Sequence, residues 1–288
     1  MFPSAFEYHR PSSVQEAVQL LANNPEAKVL AGGHSLLPAM KLRLAAPAAL
    51  VDIGRIPGLR GIQVSGDGSV VIGALTTYLD LLDSGELRQG YPIIAETANV
   101  VGDPHVRARG TLGGSLAHCD PAADFTAVML ALNASVKAVG TGGERIISVD
   151  DLFVGLLTTS LNPDEIITEI HLPAVGGRKL GMAYEKHAHP ASGYAVVGVA
   201  AVIEIDGNTA KSVRIGVTGA PEYAKRATAA ENALTGQQLT ADAIAQAANV
   251  ATEGLGELNG DVYASPEYRA HLVRVMTRRA LTRAAGLS

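Results

Sequence analysis

Two glycine-rich stretches constrain this chain more than any other feature. In the first, a short apolar strand from Lys28 to Ala31 runs into Gly32-Gly33, then into His34 and Ser35. An apolar segment restarts after Pro38 and continues to Leu44. Paired glycines tolerate positive φ and let another group approach the main chain closely. Successive N–H groups in such a turn can converge on an anion, with the Ser35 hydroxyl as a further donor. The second stretch, Arg109-Gly-Thr-Leu-Gly-Gly-Ser115, has the same character and is followed by Asp120, Pro121 and Asp124. Either stretch alone reads first as a tight turn. Two in one chain point to a ligand with a pyrophosphate and a long body.

The commoner nucleotide signatures are missing. No Gly-x-Gly-x-x-Gly follows a strand and no Gly-Lys-Ser/Thr occurs, so neither a Rossmann unit nor a P-loop is supported. The eight histidines are scattered and none forms a His-Glu-x-x-His, so no metal site is predicted. His34 reads equally as a phosphate donor or an ordinary turn histidine, and His187 and His189 read as surface positions. Cys119 is the single cysteine. Internal disulfides are therefore impossible, and a cysteine-ligated iron–sulfur cluster, which needs four thiolates, must sit on another chain. Cys119 lies beside Asp120 rather than a base, which gives a nucleophilic role little support. No acid–base pair of catalytic spacing is evident.

A chain of 288 residues has room for about two domains. A net charge of −5 without any basic run argues against nucleic acid as a partner. The longest apolar run, near Ala195 to Ile205, is too short for a membrane span and contains Glu204. The first ten residues lack the features of a signal peptide, so a cytoplasmic protein is expected.

Taken in order, Ser13-Val-Gln-Glu16 predicts a capping box, with Val14, Ala17, Val18 and Leu21 as the apolar repeat behind it. Leu50 to Ile53 predicts the next strand, closed by Pro57-Gly58. Residues 61–73 predict a hairpin, followed by helices at Thr77 to Leu87 and Pro92 to Val101. After the second glycine stretch, Phe125 to Leu132 predicts an apolar helix, with Asp124 at its start where the helix dipole favours a carboxylate. Strands follow at Ser135 to Val139, Arg145 to Val149 and Glu165 to Leu172. Beyond a boundary at Pro173 to Arg178 come three strands, Met182 to Lys186, Tyr194 to Ile205 and Ser212 to Thr218. Three helices close the chain, Tyr223 to Leu234, Ala241 to Gly254 and Glu267 to Ala285. On the last, Tyr268, Leu272, Val275 and Met276 form one face, and Arg274, Arg278, Arg279 and Arg283 read as a solvated end. The expected domains are 1–57, 58–177 and 178–288.

The segments Ala31-Gly-Gly-His-Ser-Leu-Leu-Pro-Ala-Met-Lys-Leu-Arg-Leu44 and Thr111-Leu-Gly-Gly-Ser-Leu-Ala-His-Cys-Asp-Pro-Ala-Ala-Asp124 closely resemble the FAD-binding medium subunits of molybdenum hydroxylases, in the branch of the aerobic carbon monoxide dehydrogenases. The resemblance runs nearly end to end. It implies an α+β fold of the vanillyl-alcohol-oxidase type, with two subdomains holding FAD, then a C-terminal domain with a three-stranded antiparallel sheet and helices. It places Val29, Leu30, Ala31, Gly32, Gly33, His34, Ser35 and Leu36 around the FAD pyrophosphate. Thr111, Gly113, Gly114 and Ser115 would contact the phosphates and ribityl chain. Asp124 matches the family's acidic residue, Lys186 its lysine, Tyr194 an aromatic near the isoalloxazine, and Val101 and Ile167 positions of backbone or apolar contact. Ser115 departs from the asparagine common in the xanthine dehydrogenase branch. Asp124→Ala is expected to weaken FAD binding and leave the fold intact.

The resemblance also implies partners. A large chain with a molybdenum cofactor would oxidise the substrate, and a small chain with two [2Fe–2S] clusters would relay electrons to this FAD. A quinone or other external acceptor would reoxidise it. The expected assembly is a heterohexamer, a dimer of heterotrimers, in the cytoplasm or peripheral at the inner membrane face. The rival readings are a subunit acting with an aldehyde, purine or N-heterocycle dehydrogenase, a stand-alone flavin oxidoreductase, and a binding protein whose glycine loops are only turns.

Overall fold

A computed structural model describes residues 2–287. Three larger sheets follow one another along the chain, and a separate two-stranded sheet lies within the second segment. The first is built from β1 (Glu7–His9), α1 (Val14–Asn23), β2 (Ala27–Leu30), α2 (Leu36–Lys41) and β3 (Ala49–Asp52). Its strands run parallel in the order β1-β3-β2. Ser13 caps α1 by accepting from the Glu16 N–H, and the Glu16 carboxylate reaches back to Ser12, not to Ser13. Ala17, Val18 and Leu21 are the buried face of that helix, at the predicted spacing.

The second segment holds β4 (Ile62–Val64), β5 (Val70–Gly73), α3 (Tyr78–Asp83), α4 (Gly85–Gly90), α5 (Pro92–Val100), α6 (Pro104–Arg109), α7 (Leu112–His118) and α8 (Asp124–Ala131). It continues with β6 (Ser135–Gly140), β7 (Gly143–Ser148), α9 (Val149–Leu152), β8 (Phe153–Gly155), β9 (Thr158–Thr159) and β10 (Ile166–Leu172). The sheet order is β4-β5-β10-β6-β7, so the last strand in sequence sits in the middle. The helix expected over Thr77 to Leu87 is two. Ser84 ends α3 and starts α4, and its hydroxyl takes the Leu87 N–H. A residue whose hydroxyl can cap a turn competes with helix continuation at that position.

The third segment holds β11 (Leu180–Ala188), β12 (Ala195–Asp206), β13 (Thr209–Thr218), β14 (Lys225–Arg226), α10 (Thr228–Leu234), α11 (Ala241–Asn249) and α12 (Pro266–Ala284). The antiparallel sheet gains a two-residue fourth strand, β14, from the start of what the sequence suggests is a helix. This sheet lies between α8 on one side and α12 on the other. Glycines permit both approaches: a Cβ on Gly216 would fall 2.0 Å from the Ala127 carbonyl oxygen, and one on Gly181 would fall 1.7 Å from that of Ala284. Every residue of α8 is buried, as a helix packed on all sides requires.

The buried face of α12 differs from the predicted one. It comprises Arg269, Leu272, Val273, Met276, Thr277, Ala280, Leu281 and Ala284, while Tyr268 is exposed. Arg283 is not a solvated helix end. It donates to Glu185 at 2.6 Å, to the Tyr184 carbonyl at 3.1 Å and to Glu96 on α5, tying the third segment to the second. Among the described residues, no helix is long and apolar enough to cross a membrane.

Candidate functional site

The first glycine loop leaves the carboxyl end of β2 and enters α2. Gly33 has φ +77, a conformation that a side chain disfavours. Leu37 N–H returns to the Gly33 carbonyl at 3.3 Å, and His34 Nδ1 lies 3.1 Å from the Gly32 carbonyl. Ser35 occupies the N-cap but makes no cap bond with its side chain. Among the described residues, the N–H groups of Gly32, Gly33, His34, Ser35 and Leu36 have no acceptor. Five successive donors without partners, at a turn that only glycines can make, fit a phosphate or pyrophosphate.

The second stretch is the start of a helix. Thr111 caps α7, its hydroxyl accepting from Gly114 N–H at 3.2 Å. The donors expected to face an anion here are already used. Leu112 N–H goes to the Thr76 carbonyl, Gly113 N–H to Ala74 and Ser115 N–H to Thr111. The glycines serve close packing instead: a Cβ on Gly113 would meet Ala74 at 2.5 Å, and one on Gly114 the Thr111 hydroxyl at 2.7 Å. The groups this loop can offer a ligand are the Thr111 and Ser115 hydroxyls.

The two loops touch. A Cβ on Gly32 would lie 2.0 Å from the Arg109 carbonyl oxygen and 3.1 Å from Gly110 Cα, and one on Gly114 would lie 3.7 Å from the Ala31 Cβ. Arg109 is exposed, and its guanidinium makes no hydrogen bond or ion pair among the described residues. Its backbone stands at the junction of the loops.

Further along, α8 and β11 bring Asp124 and Lys186 together. The Lys186 ammonium lies 2.9 Å from Asp124 Oδ1 and also donates to the Val100 carbonyl at 3.1 Å. Tyr184 donates to the same carboxylate at 2.6 Å. Both charged side chains are almost fully buried, at 7% and 6% exposure. Burial pushes the Asp124 carboxyl up from its ordinary value, and the Lys186 charge and the Tyr184 hydroxyl pull against it. Tyr184 was not singled out from sequence, although alternation along a strand puts it on the same face as Lys186.

Tyr194, at the entrance to β12, is half-exposed. Partial burial raises its phenol pKa, and the charges of Asp120 and Asp124 add to the shift. Tyr78 stacks on Phe125 with ring centroids 5.1 Å apart, and burial pushes its phenol up to about 12. The Val101 carbonyl is taken by Arg107 at 3.1 Å, and Ile167 is buried in the middle of the five-stranded sheet. Among the described residues, no group of three or more His, Cys, Asp or Glu could hold a metal ion.

Residues 4–175 match the family model described as the FAD binding domain in molybdopterin dehydrogenase, and residues 182–284 that of the CO dehydrogenase flavoprotein C-terminal domain. The chain is 41% identical to the carbon monoxide dehydrogenase medium chain of Hydrogenophaga pseudoflava, over 99% of this chain and 98% of that one. It is 39% identical to the 6-hydroxypseudooxynicotine dehydrogenase complex subunit alpha of Paenarthrobacter nicotinovorans, over 99% of this chain and 96% of the relative. Among solved structures, it superimposes with a TM-score of 0.95 on a chain of the H. pseudoflava carbon monoxide dehydrogenase that lacks the Mo-pyranopterin moiety of its cofactor. That match has 42% identity and covers 99% of both chains.

Proposed function

The chain belongs to the family of FAD-binding medium subunits of molybdenum hydroxylases, and from that premise we propose that it is the electron-relay subunit of a carbon monoxide dehydrogenase-type complex. It is an oxidoreductase flavoprotein subunit, and residues 1–57 and 58–177 are the two parts that hold FAD. When bound, FAD supplies the redox chemistry, between two [2Fe–2S] clusters on a small partner and a quinone or other external acceptor. A large partner carries the molybdenum cofactor and oxidises the substrate, in a dimer of heterotrimers.

The observation that carries this reading is the meeting of the two loops, with five partnerless N–H groups on one of them. The amides of residues 32–36 would take the pyrophosphate. Thr111 and Ser115 give hydroxyls to the phosphates and ribityl chain. Val29, Leu30 and Ala31 bring the chain into the loop, and Val101 and Ile167 give backbone or apolar support. Lys186 and Asp124 form a buried, charge-compensated pair, and Tyr194 would supply an aromatic surface near the isoalloxazine. No residue of this chain is assigned an acid–base role.

A second reading, a subunit of a complex acting on an N-heterocycle, is favoured by the 39% identity to the P. nicotinovorans protein. Bleaching of the flavin band in the purified complex separates the two. Reduction by carbon monoxide supports the first reading; reduction by an N-heterocycle with none by carbon monoxide replaces it with the second.

A further inference from the structure

The hairpin joining β11 to β12 ends at Tyr194. His189 N–H donates to the Tyr194 carbonyl at 2.8 Å, and Gly193 N–H returns to the His189 carbonyl at 2.8 Å. Against this hairpin stands a turn from seventy residues further along the chain. Asp261 Oδ1 accepts from the N–H groups of Tyr263 and Ala264, at 2.8 Å each. The turn so formed presents the Tyr263 ring to His189, with centroids 4.5 Å apart and the planes at 62°. Tyr263 also lies over His187, at 6.5 Å.

A buried arginine joins the same turn to the strand that follows Tyr194. Arg269 on α12 is 6% exposed. Its Nη2 donates to Asp261 Oδ2, and its Nη1 to the carbonyls of Val196 at 2.6 Å and Gly219 at 2.9 Å. Gly219 N–H in turn donates to the Pro121 carbonyl at 2.6 Å, in the segment leading to Asp124. Burying a guanidinium is costly unless its donors are met. Here Nη1 and Nη2 are met by Val196, Gly219 and Asp261, which fixes the backbone just after Tyr194, while Nε has no partner among the described residues.

We propose that Asp261, Tyr263 and Arg269 form a latch that sets the position of Tyr194, so that all three are positioning residues for the flavin site. The proposal rests on the reading in which Tyr194 stands against the isoalloxazine. The latch acts through the hairpin: the Tyr263 ring braces His189, and Arg269 locks the Asp261 turn to Val196.

Two measurements on the purified complex test it: amide exchange of the peptide spanning residues 187–196, and visible circular dichroism of the bound flavin. Loss of one edge-on aromatic contact predicts exchange about twofold to tenfold faster in Tyr263→Ala. The flavin spectrum of that variant should move toward that of Tyr194→Ala. Tyr263→Phe, which keeps the ring, should match the unaltered protein in both, and Asp261→Ala, which removes the acceptor that builds the turn, should reproduce Tyr263→Ala. Unchanged exchange in Tyr263→Ala, or a Phe variant that behaves like Ala, overturns the latch. Faster exchange in Tyr263→Ala with an unaltered flavin spectrum in Tyr194→Ala upholds the latch and overturns the placement of Tyr194 at the ring.

Discussion

Gly32 stands so close to Arg109 that a Cβ on the glycine would lie 2.0 Å from the arginine's carbonyl oxygen. Two loops far apart in sequence are therefore one surface, and any side chain at position 32 must push them apart. The partnerless amides begin at Gly32 itself and the Thr111 cap follows Gly110 directly, so the geometry of a shared anion site depends on this contact.

Gly32→Ala is accordingly expected to abolish FAD retention while the far-ultraviolet circular dichroism stays near that of the parent. Gly66→Ala is the control, because a Cβ there meets nothing within 4 Å. The bound FAD of both variants after gel filtration checks this. Full retention in Gly32→Ala would separate the loop contact from cofactor binding.

The buried pair of Asp124 and Lys186 predicts a stability effect as well. Removing one partner leaves the other charge uncompensated, at a cost of about 3–5 kcal/mol. Asp124→Ala should therefore lower the urea midpoint substantially, contrary to the sequence-based expectation of an intact fold. Asp124→Asn with Lys186→Met should recover a large part of the loss. Equal midpoints for the single and double variants would show that the pair is not coupled.

Acid should weaken a second pairing. Glu165 accepts from Arg145 at 2.6 and 2.8 Å and from the Asn162 N–H at 2.6 Å. The Arg145 hydrogen bonds hold its carboxyl below the ordinary 4.5. The unfolded chain thus takes up this proton at higher pH than the folded one. The stabilisation is complete above about pH 4.5 and is lost as pH falls through the lower folded value. The midpoint difference between the parent and Arg145→Met should shrink between pH 5 and pH 3. A constant difference would contradict the assignment.

Cys119 should be inert in the folded protein. It is 1% exposed, its thiol faces the Gly155 carbonyl at 3.7 Å, and burial pushes its pKa up to about 11. Thiol reagents at pH 8 should label it only after denaturation, because the thiolate is the reactive form. Rapid labelling of the native complex would contradict the burial.

Much of this was legible from residue patterns, for identifiable reasons. Glycines marked both loops because a positive φ or a close backbone approach excludes other residues. The apolar run of α8 marked a helix buried on all sides. Helix α7 was hidden by its own glycines: Gly113 and Gly114 weaken helix propensity, and packing on Ala74 and the Thr111 cap overrides it. The same packing consumed the amide donors that the glycine pattern led us to expect. Arg269 was hidden because helical periodicity counts an arginine as polar, and only its partners at Val196, Gly219 and Asp261 bury it. The meeting of Asp124 with Lys186 joins separate segments, which local patterns do not report.

The central claim is that the loop contact grips a dinucleotide, and the most direct test is the amount of FAD released per medium chain from the purified complex. One FAD per chain is predicted, with every iron recovered on other chains after the subunits are separated. A complex whose medium chain carries no FAD would contradict the account.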